Sequence, residues 1–152
     1  MKISILAVGR CGQSPEGDIV KRYTERTPWT ISTKEVEERR PIKGDERKKS
    51  EGAMLLAALP KNPYIIALDE RGKAHNSHEF AKKLTTAHEN GFGQISFIIG
   101  GADGLSEDIL AKAHMRLSFG TMVWPHMMVR AMLSEQIYRA WAILNHHPYH
   151  KE

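Results

Sequence analysis

With 152 residues, 41% of them hydrophobic and 26% charged, the chain has the size and composition of one globular domain able to bury a proper core. No apolar run reaches the roughly 20 residues that cross a bilayer, and the single cysteine, Cys11, excludes an internal disulfide and fits a reducing cytoplasm as an inert thiol. The net charge of +4 is mild but uneven: beyond position 111, Lys112, Arg116, Arg130, Arg139 and Lys151 face only Glu135 and Glu152, and five of the eight histidines lie there too. A basic, histidine-rich end suits a phosphate-bearing partner.

Residues 1–9 open on a short apolar run with no small-residue cleavage site behind it. They read as a strand over 2–8 ending at a glycine turn, rather than as a signal peptide. A helix over 18–25 and a strand over 29–36 follow. Residues 34–51 carry dense charges of both signs, the mark of a solvated face, and Pro41-Ile42-Lys43-Gly44-Asp45 is a polar turn into a helix over 45–59. A strand over 64–68 and a helix over 77–89 come next. Gln94-Ile95-Ser96-Phe97-Ile98-Ile99 is β-branched and aromatic, as a buried strand is. It ends in three glycines within five residues, Gly100, Gly101 and Gly104, where backbone can approach a ligand closely. Ser106 then caps a short helix running to 113, with Glu107 and Asp108 in the first turn where the helix dipole favours acids. A weaker strand over 117–119 leads through residues 120–125 into a helix over 127–144.

This alternation is that of an α/β sandwich with a mostly parallel sheet. In open parallel sheets ligands bind beyond the carboxyl ends of the strands. The segments 68–73, 100–104 and 117–125 all fall near that edge, so three loops frame a pocket. The last helix is apolar round too much of its circumference for a helix covered on one side. Two readings fit: burial on two sides, by its own sheet and by another subunit, or a central core helix.

Several chemistries are excluded or weak. The glycine loop lacks the G-x-G-x-x-G spacing of a dinucleotide site and the lysine of a phosphate-binding loop. No Gly-x-Ser-x-Gly elbow is present. His146-His147-Pro148-Tyr149-His150 lacks the carboxylate or cysteine that would complete a metal site. His126 and Arg130, four apart at the start of the last helix, share a face. Pattern alone favours capping and packing over function for them. Tyr149 and His150 bring a ring that can stack on a base and an imidazole that can move a proton.

Taken together, Leu68-Asp69…Gly72-Lys73, Ile99-Gly100-Gly101…Gly104-Leu105, Leu117-Ser118…Pro125-His126…Arg130…Glu135-Gln136…Tyr138-Arg139-Ala140 and Pro148-Tyr149-His150 closely resemble the RlmH type of SPOUT methyltransferase. The resemblance extends over nearly the whole chain. It implies one α/β domain over 1–152 whose C-terminal segment threads a deep trefoil knot, an exception to the rule against knots. It also implies a homodimer that binds bent S-adenosylmethionine and methylates N3 of a pseudouridine in a 23S rRNA hairpin loop on the assembled ribosome.

Carried over by position, Leu68 contacts the adenine. Gly100 and Gly101, with Gly104 shaping the turn, bring backbone to the ribose and methionine part. Phe119, Gly120, Thr121, Met122, Val123 and Trp124 supply backbone hydrogen bonds and apolar walls, with the bulky Trp124 ring pointing away. The sulfonium methyl is already electrophilic, so no metal is required. The protein must align the target nitrogen and favour loss of its proton. His150 is the expected proton acceptor, Tyr149 positions the base, and Arg130 and Arg139 stand near phosphate or developing oxygen charge. Arg139 reads equally as the ion-pair partner of Glu135. Rival readings are a non-catalytic ribosome-binding protein that keeps the fold and a nicotinamide-dependent oxidoreductase.

Overall fold

The computed structural model describes residues 1–151. Five strands and five helices alternate: β1 (Lys2–Val8), α1 (Pro15–Arg26), β2 (Thr30–Val36), α2 (Gly44–Ala57), β3 (Pro63–Ala74), α3 (Ser77–Glu89), β4 (Gln94–Ile99), α4 (Glu107–Lys112), β5 (Met115–Ser118) and α5 (His126–Leu144). The strands form one sheet in the order β2-β1-β4-β3-β5, and every pairing is parallel. The carboxyl ends of β4, β3 and β5 therefore lie side by side.

The apolar runs of β1 and β4 are continuous because both faces of the sheet are covered. Ile3, Ile5 and Ala7 of β1 face one way, with Ile95, Phe97 and Ile99 of β4, onto Phe80 and Leu84 of α3 and Leu133 and Ile137 of α5. Leu6, Val8 and Ile98 face the other way, onto Leu55 of α2 and Ile109 of α4. The two serines that interrupt these strands, Ser4 and Ser96, satisfy each other through hydroxyls 2.7 Å apart.

Helix starts follow their capping residues. Ser14 accepts from the Gly17 amide at 3.0 Å, and Asn76 and Glu79 close a reciprocal capping box at 2.8 and 2.9 Å, a device worth about 1 kcal/mol. Ser106 caps α4 as expected, accepting from the Ile109 amide at 3.4 Å. No side chain caps α2 or α5.

One expectation needs correction. Strand β3 does not end at Leu68: it bulges out over residues 69–72 and resumes, so that Leu117 of β5 pairs with both Leu68 and Lys73. The polar run Asp69-Glu70-Arg71-Gly72 looks like a terminating loop in sequence, but a bulge lets it leave the sheet and return. Helix α5 packs as the core-helix reading expects, largely within its own chain. Leu133, Ile137 and Ala140 meet the sheet. Tyr138 packs on Tyr23 of α1 at 5.9 Å between ring centroids, and Gln136 accepts from Ser77 of α3 at 2.9 Å.

Candidate active site

At the carboxyl edge a cavity of about 650 Å³ opens between the β3 bulge, the glycine loop after β4 and the segment joining β5 to α5. That is an ordinary size for a small-molecule site. Its apolar walls include Leu68, Ile99, Leu105, Leu117 and Phe119, and the start of α5 contributes His126 and Val129. Of the residues expected at a cofactor, Leu68, Gly100, Gly101, Gly104, Phe119, Gly120, Met122, Val123 and Trp124 all line it, and Thr121 alone does not. Trp124 is 38% exposed and forms part of the wall.

Two glycines here are required by geometry. A Cβ on Gly100 would lie 2.8 Å from the carbonyl carbon and oxygen of Gly104, so any side chain would force the loop apart. Gly120 sits at φ +110°, which side chains rarely tolerate. The Ser118 hydroxyl fixes the turn at Gly120, donating to its carbonyl at 2.7 Å and accepting from its amide at 3.1 Å.

Beneath the glycine loop lies a residue that sequence reasoning missed. Glu51 of α2 is 5% exposed, and its Oε1 has no hydrogen-bond partner. Its Oε2 lies 3.2 Å from where a Cβ on Gly101 would sit. Burial pushes this carboxyl above its usual value; Arg47 opposes the rise, and Asp103 and Glu38 add to it. Its only signal in sequence is an acid directly before a glycine, Gly52, on a helix whose other acids lie in the first turn. Arg71 of the expected 68–73 loop lines the cavity, and Lys48 and Arg116 line it unforeseen.

The four residues expected to do chemistry lie outside this lining. Arg130 is 3% exposed. Its guanidinium donates to the carbonyls of Val8 and Gly9 at 2.9 and 2.6 Å and pairs with the Glu35 carboxylate. It ties α5 to the ends of β1 and β2, and here it is a structural anchor rather than a group presented to phosphate. Burial alone would raise the Glu35 carboxyl, but hydrogen bonds from Arg130 and the Cys11 amide, with the Arg130 charge, hold it below the usual range.

Arg139, Tyr149 and His150 form a separate cluster, because the tail folds back along α5. Arg139 pairs with Glu135 at 2.6 Å, as the ion-pair reading expects, and lies 4.9 Å from the Tyr149 ring centroid. The Tyr149 hydroxyl donates to Glu135 at 2.8 Å and lies 3.2 Å from the Tyr23 hydroxyl. Burial, then the contacts with Tyr23 and Glu135, push this phenol well above its usual range, so it stays a neutral donor. His150 Nδ1 is 3.2 Å from Arg139 Nη1, and its Nε2 is 3.2 Å from Nε2 of His78.

Residues 1–150 match the family model described as "Predicted SPOUT methyltransferase". This chain belongs to the SPOUT methyltransferase family. It is 46% identical over 151 residues to the ribosomal RNA large subunit methyltransferase H of Rhodospirillum centenum, covering 99% of each chain. The enzyme of the same name from Zymomonas mobilis is 45% identical over 152 residues, covering 100% of this chain and 99% of the relative. Among solved structures, a probable methylase family protein of Haemophilus influenzae superposes with a TM-score of 0.57 at 14% identity, covering 99% of this chain and 70% of that one. A putative methyltransferase of Legionella pneumophila, solved with S-adenosylmethionine bound, superposes with a TM-score of 0.50 at 12% identity, covering 92% and 66%. The two superpositions speak for the SPOUT fold, and the near-full-length relatives narrow the family to its large-subunit rRNA branch.

Proposed function

We propose that this chain methylates N3 of a pseudouridine in a 23S rRNA hairpin loop on the assembled ribosome. It does so as a cytoplasmic homodimer of one domain, residues 1–152, with the segment through α5 threaded as a deep trefoil knot. It is an S-adenosylmethionine-dependent rRNA methyltransferase, as its family and its near-full-length relatives are. The observation that carries the reading is the convergence of the three carboxyl-edge loops on one cavity.

The residues present suit S-adenosylmethionine. A flat adenine fits between apolar walls such as Leu68, Leu117 and Phe119, with the Gly120 backbone beside it, and the close-packed Gly100 leaves backbone, not a side chain, to meet the ribose and methionine part. When bound, the cofactor supplies an electrophilic methyl. The protein's own task is to present the target nitrogen and to take its proton.

For that task the cavity has walls and the tail has chemistry, and in one chain they stand apart. A second copy resolves the separation if its tail completes this cavity. Exposed Met122, Val123 and Met128, at 72%, 79% and 39%, form an apolar rim beside the cavity that such a copy would cover. We assign His150 as the proton acceptor and Tyr149 as the group that orients the base. An arginine only donates, so Arg139 at Nδ1 makes that nitrogen the acceptor and places the neutral ring's proton on Nε2, toward His78. Both nitrogens of the resting ring are thus engaged. His150 becomes a base only when the tail leaves this position for the target.

The test is transfer of labelled methyl from S-adenosylmethionine to ribosomes lacking the modification, with free 23S rRNA alongside. Label confined to the ribosomes and mapped to a pseudouridine supports the reading. Cofactor binding without label in either sample would replace it with a non-catalytic ribosome-binding role.

A further inference from the structure

Residues 39–50 hold six cations, Arg39, Arg40, Lys43, Arg47, Lys48 and Lys49, against Asp45 and Glu46. Glu37, Glu38 and Glu51 flank the segment and Glu38 pairs Arg40, but Arg39, Lys43 and Lys49 remain exposed, whereas the basic C-terminal end is partly spent: Arg130 is buried and Arg139 is paired.

The segment runs through the β2–α2 loop and the first turns of α2, up to the cavity, which Lys48 lines. The loop is held in place by Glu38. Its carboxylate accepts from the Arg40 amide at 2.9 Å and from Arg40 Nε and Nη2 at 3.0 and 3.1 Å, and it also bonds the Ser50 hydroxyl. Little of the remaining charge is neutralised. Lys48 reaches Asp45 at 3.5 Å, but that carboxylate is 99% exposed. Arg39, Lys43 and Lys49 are exposed and form no ion pair among the described residues.

Folding gives no reason for this arrangement. Asp45 and Glu46 already meet the dipole in the first turn of α2, whereas Lys43 at the N-cap opposes it and, at i to i+4, repels Arg47. A polyanion laid along the surface would reverse the sign of both effects. We infer that the strip Arg39–Lys43–Lys49 seats the phosphate backbone of the RNA, and that Lys48, Arg71 and Arg116 continue it into the methyl-transfer cavity. The inference rests on the rRNA reading above and adds which face of the molecule the RNA crosses.

The experiment compares wild type with Arg39→Ser/Lys43→Ser/Lys49→Ser in binding to unmodified ribosomes between 50 and 200 mM salt. Each lost phosphate contact removes about 0.7–0.9 from the slope of log Kobs against log salt. The triple variant should lose about 2 from that slope and bind tenfold or more weakly at 50 mM. Its S-adenosylmethionine affinity and its kcat at saturating ribosome should stay at wild-type values, which separates lost docking from a damaged fold. Lys21→Ser/Arg22→Ser on α1 serves as the control for charge removal elsewhere, and it should leave the slope unchanged. A triple variant with wild-type affinity and slope overturns the surface while leaving the enzyme intact. So does an α1 control that falls as far. Wild type that binds ribosomes with this slope yet transfers no methyl would instead sink the methyltransferase reading and leave the surface standing.

Discussion

Around the cavity the backbone sets the surface: Gly100 has no room for a side chain, Gly120 has a conformation that disfavours one, and Leu68, Leu117 and Phe119 offer only shape. Around Tyr149 the reverse holds, and Glu135, Arg139, His150, His78 and Tyr23 meet through side chains that donate, accept or titrate. The first region suits a ligand that brings its own reactivity, since a sulfonium methyl needs a shaped, dry slot more than an acid or base. The second suits a proton transfer, for which a movable imidazole beside an arginine is useful. Keeping the two apart in one chain leaves the resting protein with a filled hydrogen-bond set at His150 and no base at the methyl.

Four substitutions sharpen or break this division, from the largest expected effect down. Gly100→Val should abolish measurable S-adenosylmethionine binding by calorimetry, because even a Cβ would sit 2.8 Å from Gly104. Binding within tenfold of wild type would mean the loop does not form the floor of the site. His150→Ala should slow single-turnover methylation by about 100-fold or more with cofactor affinity unchanged; an unchanged rate on intact ribosome binding removes the base assignment. Arg130→Met belongs to neither region on this account. It should cost about 2–3 kcal/mol of stability by stranding Glu35 and two carbonyls, a fall in Tm of roughly 5–10 °C, while the kcat of the folded fraction holds. A large kcat loss at unchanged Tm would return Arg130 to the chemistry.

The smallest effect is expected under the glycine loop. The Glu51 carboxyl is raised in the folded state, so its ionisation penalises folding as pH rises above the unfolded value and vanishes below it. Glu51→Gln should therefore raise Tm by a few degrees, roughly 2–4 °C, at pH 8, with the gain shrinking toward zero below pH 4.5, the ordinary value of the group. A gain that is constant with pH would mean that packing, not charge, decides this position.

Most of the fold was legible because its signals are local. β-branched runs marked β1 and β4 to the residue, and Ser106 stood where a cap belongs. The β3 bulge was not legible, since pairing of Leu117 with both Leu68 and Lys73 is a non-local fact that leaves polar residues looking like any loop. The cavity lining was read well for a related reason: glycines and apolar residues at strand ends have few other uses. Arg130 shows the limit. An arginine four residues from a histidine on a helix start fits a phosphate site and a buried anchor equally, and only the positions of Val8, Gly9 and Glu35 decide. Glu51 was missed because burial of a single acid in a charged helix has no periodic signature.

The central claim is that a cavity from one protomer works with a tail from the other. Gly100→Val and His150→Ala proteins, each folded by thermal melt and each inactive alone, can be mixed in equal parts, exchanged and assayed for methyl transfer to unmodified ribosomes. Half of the dimers will then be mixed, and each mixed dimer holds one site with both an intact cavity and an intact tail. The account predicts recovery to about a quarter of wild-type activity. No activity above that of the two parents would contradict it and return cavity and tail to a single chain.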